Sequence, residues 1–162
     1  MSRIPVLCSI LLLAVPAAGV AQQHPATPVP DGVVVVEGAR LEWGPLELPG
    51  FEPGLELAVV QGDPAQAEAY TIRLRFPDGY VFPAHYHPNA ENLTVLSGTF
   101  QLGHGATPEE AGLTTYKPGD YLFIPGGMPH YGRVEGETVI QLHGIGPFDV
   151  KLAEPEPDDS QE

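Results

Sequence analysis

Residues 79–98 read GYVFPAHYHPNAENLTVLSG, and the rest of the chain is best understood outward from them. His85 and His87 stand two positions apart. In an extended strand such residues face the same way, so two imidazoles enter one space while Tyr86 turns aside. Pro88-Asn89-Ala90 is turn chemistry. If the chain reverses there and returns as Glu91–Ser97, the Glu91 carboxylate arrives beside the imidazoles, an oxygen donor next to two nitrogen donors. A fourth ligand must then come from another part of the chain.

A second stretch, residues 119–130, reads GDYLFIPGGMPH. Gly119-Asp120 turns into a short apolar strand, Pro125-Gly126-Gly127 makes a tight corner, and His130 follows as the candidate fourth ligand. Alone, a histidine after a glycine corner is more often structural than ligating. Its weight comes from being paired with the first stretch.

Together the two stretches resemble the cupin superfamily. The first cupin motif, G(X)5HXH(X)3–4E(X)6G, is met at Gly79, His85, His87, Glu91 and Gly98. The second, G(X)5PXG(X)2H(X)3N, is met at Gly119, Pro125, Gly127 and His130, with Val134 where the family usually has asparagine. That departure leaves the ligands in place and removes any hydrogen bond the asparagine would make. The wider run, from the Gly62-Asp63-Pro64 turn to HGIGPF at 143–148, is similar to small exported single-domain bacterial cupins. The resemblance implies an all-β protein, a double-stranded β-helix or jelly-roll cupin barrel in a single domain. It implies a three-histidine, one-carboxylate site for one divalent transition metal ion (Mn, Fe, Ni or Zn), with the remaining coordination positions open to water or substrate. Cupins often pair through their sheets, so a homodimer is among the expectations.

Composition agrees with this reading. At 162 residues the chain has room for one domain with its own core. Acidic residues number 21 against 7 basic ones, a balance that argues against nucleic acid and anionic membrane surfaces as partners. Nineteen prolines and nineteen glycines point to many turns and short strands.

Four segments are expected. Residues 1–21 read as an export signal, with Arg3 before the apolar IPVLCSILLLAVP and a Gly19-Val20-Ala21 cleavage site. Cleavage removes Cys8, the only cysteine, and with it disulfides, thiolate ligands and a cysteine nucleophile. The new terminus, Gln22-Gln23-His24, would offer a square-planar nitrogen set to Cu(II) or Ni(II). Residues 22–32 read as a proline-rich flexible linker, 33–152 as the barrel, and 153–162 as an acidic disordered tail. Localisation follows: exported, periplasmic or secreted, with no membrane attachment after cleavage.

Within the barrel, the VVVV and LELAVV runs between Val33 and Val60 read as entry strands at a sheet edge. Trp43 reads as a core or interface anchor. From Tyr70 to Phe76 the pattern alternates, with Tyr70, Ile72, Leu74 and Phe76 on one face and Thr71, Arg73 and Arg75 on the other. The arginines are expected to pair with surface carboxylates, an anionic ligand being the alternative. His104 lies at a loop edge and reads as solvated. The last strand, Thr138 to Ile145, puts Val139, Gln141 and His143 on one face, so Gln141 and His143 are candidate substrate-pocket residues if that face is the inner one.

Three imidazoles and a carboxylate leave a divalent ion with net positive charge and exchangeable positions. Such an ion can polarise a carbonyl, bind an enediol or carboxylate, acidify water or, as Fe(II), bring dioxygen and a chelating substrate together. The site therefore suits a metal-dependent enzyme on a small oxygenated molecule, of dioxygenase, decarboxylase or isomerase type. A non-catalytic cupin that binds or senses metal or a small ligand is the alternative. A structural barrel with satisfied buried histidines is the third reading.

Overall fold

The computed structural model describes residues 31–154. Residues 31–35 stand by themselves, a turn at Asp31-Gly32 followed by exposed valines. Val33–Val36 forms no strand, contrary to the expectation from its β-branched run. Strand propensity is realised through neighbouring strands, and these four residues pair with none. The proposed export signal, the 22–24 metal-binding terminus and most of the linker and acidic tail lie outside the described residues.

The remaining residues build nine antiparallel strands: β1 (Gly44–Pro45), β2 (Glu56–Gln61), β3 (Ala69–Phe76), β4 (Val81–Tyr86), β5 (Glu91–His104), β6 (Thr114–Tyr116), β7 (Tyr121–Ile124), β8 (His130–Ile145) and β9 (Lys151–Leu152). Short 3-10 turns at Gly38–Arg40 and Glu110–Gly112 are the helical pieces. Among the described residues no helix is long and apolar enough to cross a membrane.

β8 is the hub. Along one edge it pairs with β5 from His104↔His130 to Glu91↔Gly144; along the other it pairs first with β4 and then with β3. The strand expected from Thr138 runs unbroken from His130, because Gly136, at φ +72°, lets it bend. β5 bends opposite, where its register slips around Ser97. Gly98 makes that bend possible: it sits at φ +78°, and a Cβ there would overlap the Thr138 hydroxyl. Two bent strands curl the sheet into the expected jelly-roll barrel.

Side-chain alternation fills the interior. Tyr70, Ile72, Leu74 and Phe76 of β3 are all buried, as their periodicity predicts. They meet Leu93, Val95, Phe100 and Leu102 of β5 and Ile140 and Leu142 of β8 in one core. Val134, in place of the family's asparagine, joins that core at 2% exposure. On the outer face Arg75 pairs with Glu56 at 2.6 Å and lies under Trp43, 4.3 Å from the ring centroid. Arg75 thus has a carboxylate partner, and Trp43 is a half-buried cover for it rather than a core residue.

Candidate metal centre

Three strand ends deliver the four expected ligands. His85 lies near the end of β4 and His87 just beyond it, Glu91 opens β5, and His130 opens β8 directly across from His85 in the β4–β8 register. The two motifs are clamped by backbone. The Gly127 amide donates to the His87 carbonyl at 2.7 Å, and a Cβ on Gly126 would overlap the Pro88 carbonyl oxygen. The glycine corner therefore lets the second motif seat against the first.

The three imidazoles are nearly dry, His85 and His87 at 7% exposure and His130 at 3%. One nitrogen from each lies within 4.8 Å of the others. Every ring is oriented from behind: Nδ1 donates to the Pro83 carbonyl in His85 (2.8 Å), to Asp149 in His87 (2.8 Å) and to Met128 in His130 (3.0 Å). A carbonyl only accepts, so each Nδ1 holds its hydrogen and each Nε2 keeps a free lone pair. Burial pushes His85 down to about 3, with His130 adding to the effect, and His87 down to about 4; it lowers His130 as well. All three rings are neutral at physiological pH.

Glu91 lies beside this trio: the nitrogens within 4.8 Å of one another are those of the three histidines, and the carboxyl meets the group through His87. Glu91 is 3% exposed, and burial pushes its carboxyl up to about 8. Oε2 lies 3.2 Å from His87 Nε2, so in the metal-free site the protonated acid donates to that lone pair. Oε1 is buried with no hydrogen-bond partner. Three converging lone pairs with a buried, incompletely partnered carboxyl next to one of them make a donor set that a divalent transition ion fits. Binding it requires Glu91 to give up its proton.

The four residues line one cavity. Of its eighteen lining residues, four are His85, His87, Glu91 and His130, and the other fourteen are Leu, Ile, Val or Phe. Leu48, Phe51, Phe148 and Val150 are the half-buried ones and form the rim. Phe148 stacks on His87 with centroids 5.3 Å apart, and Phe51 meets His85 edge-on at 5.1 Å.

Gln141 and His143 do not belong to this cavity. Ile140 and Leu142 take the inner positions of β8, so the residues between them face outward. Gln141 accepts a hydrogen bond from Arg73 at 3.1 Å, and His143 is exposed in a separate depression with Gln61 and Asn92. His104 is likewise exposed, as expected, although its backbone pairs with that of His130. The aromatic rim and the three orienting carbonyls escape sequence reasoning. A backbone carbonyl carries no residue identity, and Phe51 and Phe148 lie far from either motif.

The family model for the cupin domain matches residues 72–145. Among curated proteins, the chain is 31% identical over 102 residues to the DNA damage-repair/toleration protein DRT102 of Arabidopsis thaliana, covering 63% of this chain and 30% of that protein. The chain spans 30–39% of the length of the curated relatives it matches. Among solved structures it resembles the polyketide cyclase RemF of Streptomyces resistomycificus (TM-score 0.62, 20% identity, 78% of this chain and 89% of that one). It also resembles a putative acetylacetone dioxygenase of Methylibium petroleiphilum (TM-score 0.58, 16% identity, 82% and 88%). At such identities the likeness is one of fold.

Proposed function

Because the chain belongs to the cupin superfamily, we propose that it is a metal-dependent enzyme acting on a small oxygenated organic molecule inside the barrel. The observation that carries this reading is the trio of oriented, buried imidazoles, with the Glu91 carboxyl against His87 and its Oε1 left without a partner. Burying four ionisable groups without a cation is costly, and a bound ion offsets that cost. Bound there, a divalent ion would supply Lewis acidity toward a chelated oxygen. The protein's own share is to hold the three Nε2 lone pairs by their Nδ1 carbonyl contacts, to accept the charge change at Glu91, and to exclude water with the Phe51 and Phe148 rim. The names of two structural neighbours, a cyclase and a putative dioxygenase, support enzymatic chemistry on small molecules without choosing a reaction.

A binding role is the second reading, favoured by one observation: the cavity wall offers no acid or base apart from the ligands themselves. Export is part of the proposal and rests on residues 1–21; a mature mass that begins at Met1 removes it. The decisive experiment is elemental analysis of the purified protein and of His87→Ala and His130→Ala. About one divalent ion per wild-type chain is expected, with loss in both variants. Folded wild-type protein that takes up no metal on addition of Mn, Fe, Ni or Zn refutes the reading.

A further inference from the structure

The cavity wall carries information about the ligand that the four metal-binding residues do not. Apart from them, no side chain lining it can donate or accept a hydrogen bond, and none is charged. The cations among the described residues lie elsewhere. Arg73 bonds Gln141, Arg75 pairs with Glu56, Arg133 with Glu110, Arg40 with Glu37 and Lys151 with Asp149, while Lys117 bonds Thr99.

Charge counting is then restrictive. A divalent ion with the Glu91 carboxylate leaves one net positive charge in an apolar chamber. A ligand bringing one negative charge cancels it; a second leaves the chamber with a net negative charge among Leu and Phe, and an uncompensated buried charge costs several kcal/mol. Hydroxyl groups beyond those on the metal would lose their water partners with nothing in exchange. Size is restrictive too. The cavity volume is about 40 Å³, which favours a small ligand.

We propose that the ligand of this site is a small bidentate oxygen chelate with one negative charge, all of it on the chelating end, and an apolar remainder directed toward the rim. Enolates of short diketones or hydroxyketones and short monocarboxylic hydroxy acids belong to this class. Dicarboxylates, phosphorylated compounds and sugars do not. This rests on the metal reading above and narrows it.

The test uses the Co(II)-loaded full protein, with visible absorption as the readout. Acetohydroxamate, a monoanionic chelator with a methyl body, and oxalate, a dianionic one, are titrated in parallel against the protein and against free Co(II) in the same buffer. The protein is expected to favour acetohydroxamate over oxalate by about tenfold or more relative to the free ion, the least that one unpaired buried charge should cost. A cation at the rim, Val150→Lys or, should that variant not fold, Leu48→Lys, should move the ratio back toward oxalate. If the protein discriminates no more than free cobalt does, or if a folded rim-lysine variant keeps the full discrimination, the charge argument is overturned while the metal reading stands. If the protein yields no bound-cobalt spectrum, the metal reading itself falls.

Discussion

Replacing Glu91 with glutamine tests the physics of the site in its metal-free form. The carboxyl ordinarily titrates near 4.5 and stands at about 8 in the folded chain because it is buried. For a group whose folded value is raised, the stability it contributes is complete below the unfolded value and is lost as pH rises through the folded one. Metal-free wild type should therefore weaken between pH 4.5 and 8, and glutamine, which does not titrate, removes that loss. The difference grows by about 1.4 kcal/mol per pH unit within the window, reaching about 4 kcal/mol between pH 5 and pH 9 at most. A buried amide that lacks partners costs about 1–3 kcal/mol, but nearly independently of pH, so the slope carries the test. The shifts of His85, His87 and His130 are common to both proteins and cancel to first order. Urea unfolding of both, with chelator present, at pH 5, 7 and 9 measures the effect. The variant should gain on wild type as pH rises while its metal affinity falls at least about tenfold. Parallel stability curves, or wild type gaining on the variant, would refute the argument that burial holds the Glu91 proton.

Three further outcomes follow from the same structure. Metal uptake at pH 7 should release about 0.9 proton per ion and only about 0.1 at pH 9, as a carboxyl near 8 requires; calorimetry in buffers of different ionisation heat counts them, and a pH-independent count contradicts the assignment. Gln141→Ala and His143→Ala should leave metal content and affinity unchanged, since both side chains face outward; a tenfold loss of affinity in either places them in the site after all. Gly98→Ala should cost about 2 kcal/mol or more, because φ +78° disfavours a side chain and a Cβ would overlap Thr138; thermal melting equal to wild type would mean that the β5 bend does not need glycine.

Much of the candidate site was legible because its residues are encoded by spacing. His85 and His87 share a face by the period of a strand, and Glu91 and His130 follow glycine- and proline-marked reversals that the chain spells out. The core face of β3 was legible for the same reason. Alternation says which residues lie together but not which side is inside, and Gln141 and His143 show the consequence. They share one face as their parity requires, yet Ile140 and Leu142 occupy the interior. Val33–Val36 shows another limit: four β-branched residues have strand propensity, but a strand exists only where a neighbour offers its backbone.

What the sequence determined by itself was the set of candidate ligands, the two glycine-bracketed motifs and the all-β class, since residue type and short-range period carry these. Only the tertiary structure decided the protonation and the ligand chamber. Glu91 holds its proton to about 8 because the barrel closes over it, and three histidines present Nε2 because carbonyls of Pro83, Met128 and Asp149 take their Nδ1 hydrogens. The chamber is apolar because β3, β5 and β8 turn their inner faces to one point, joined at the rim by Phe51 and Phe148. Burial and convergence are properties of the closed barrel, and no local stretch of chain contains them.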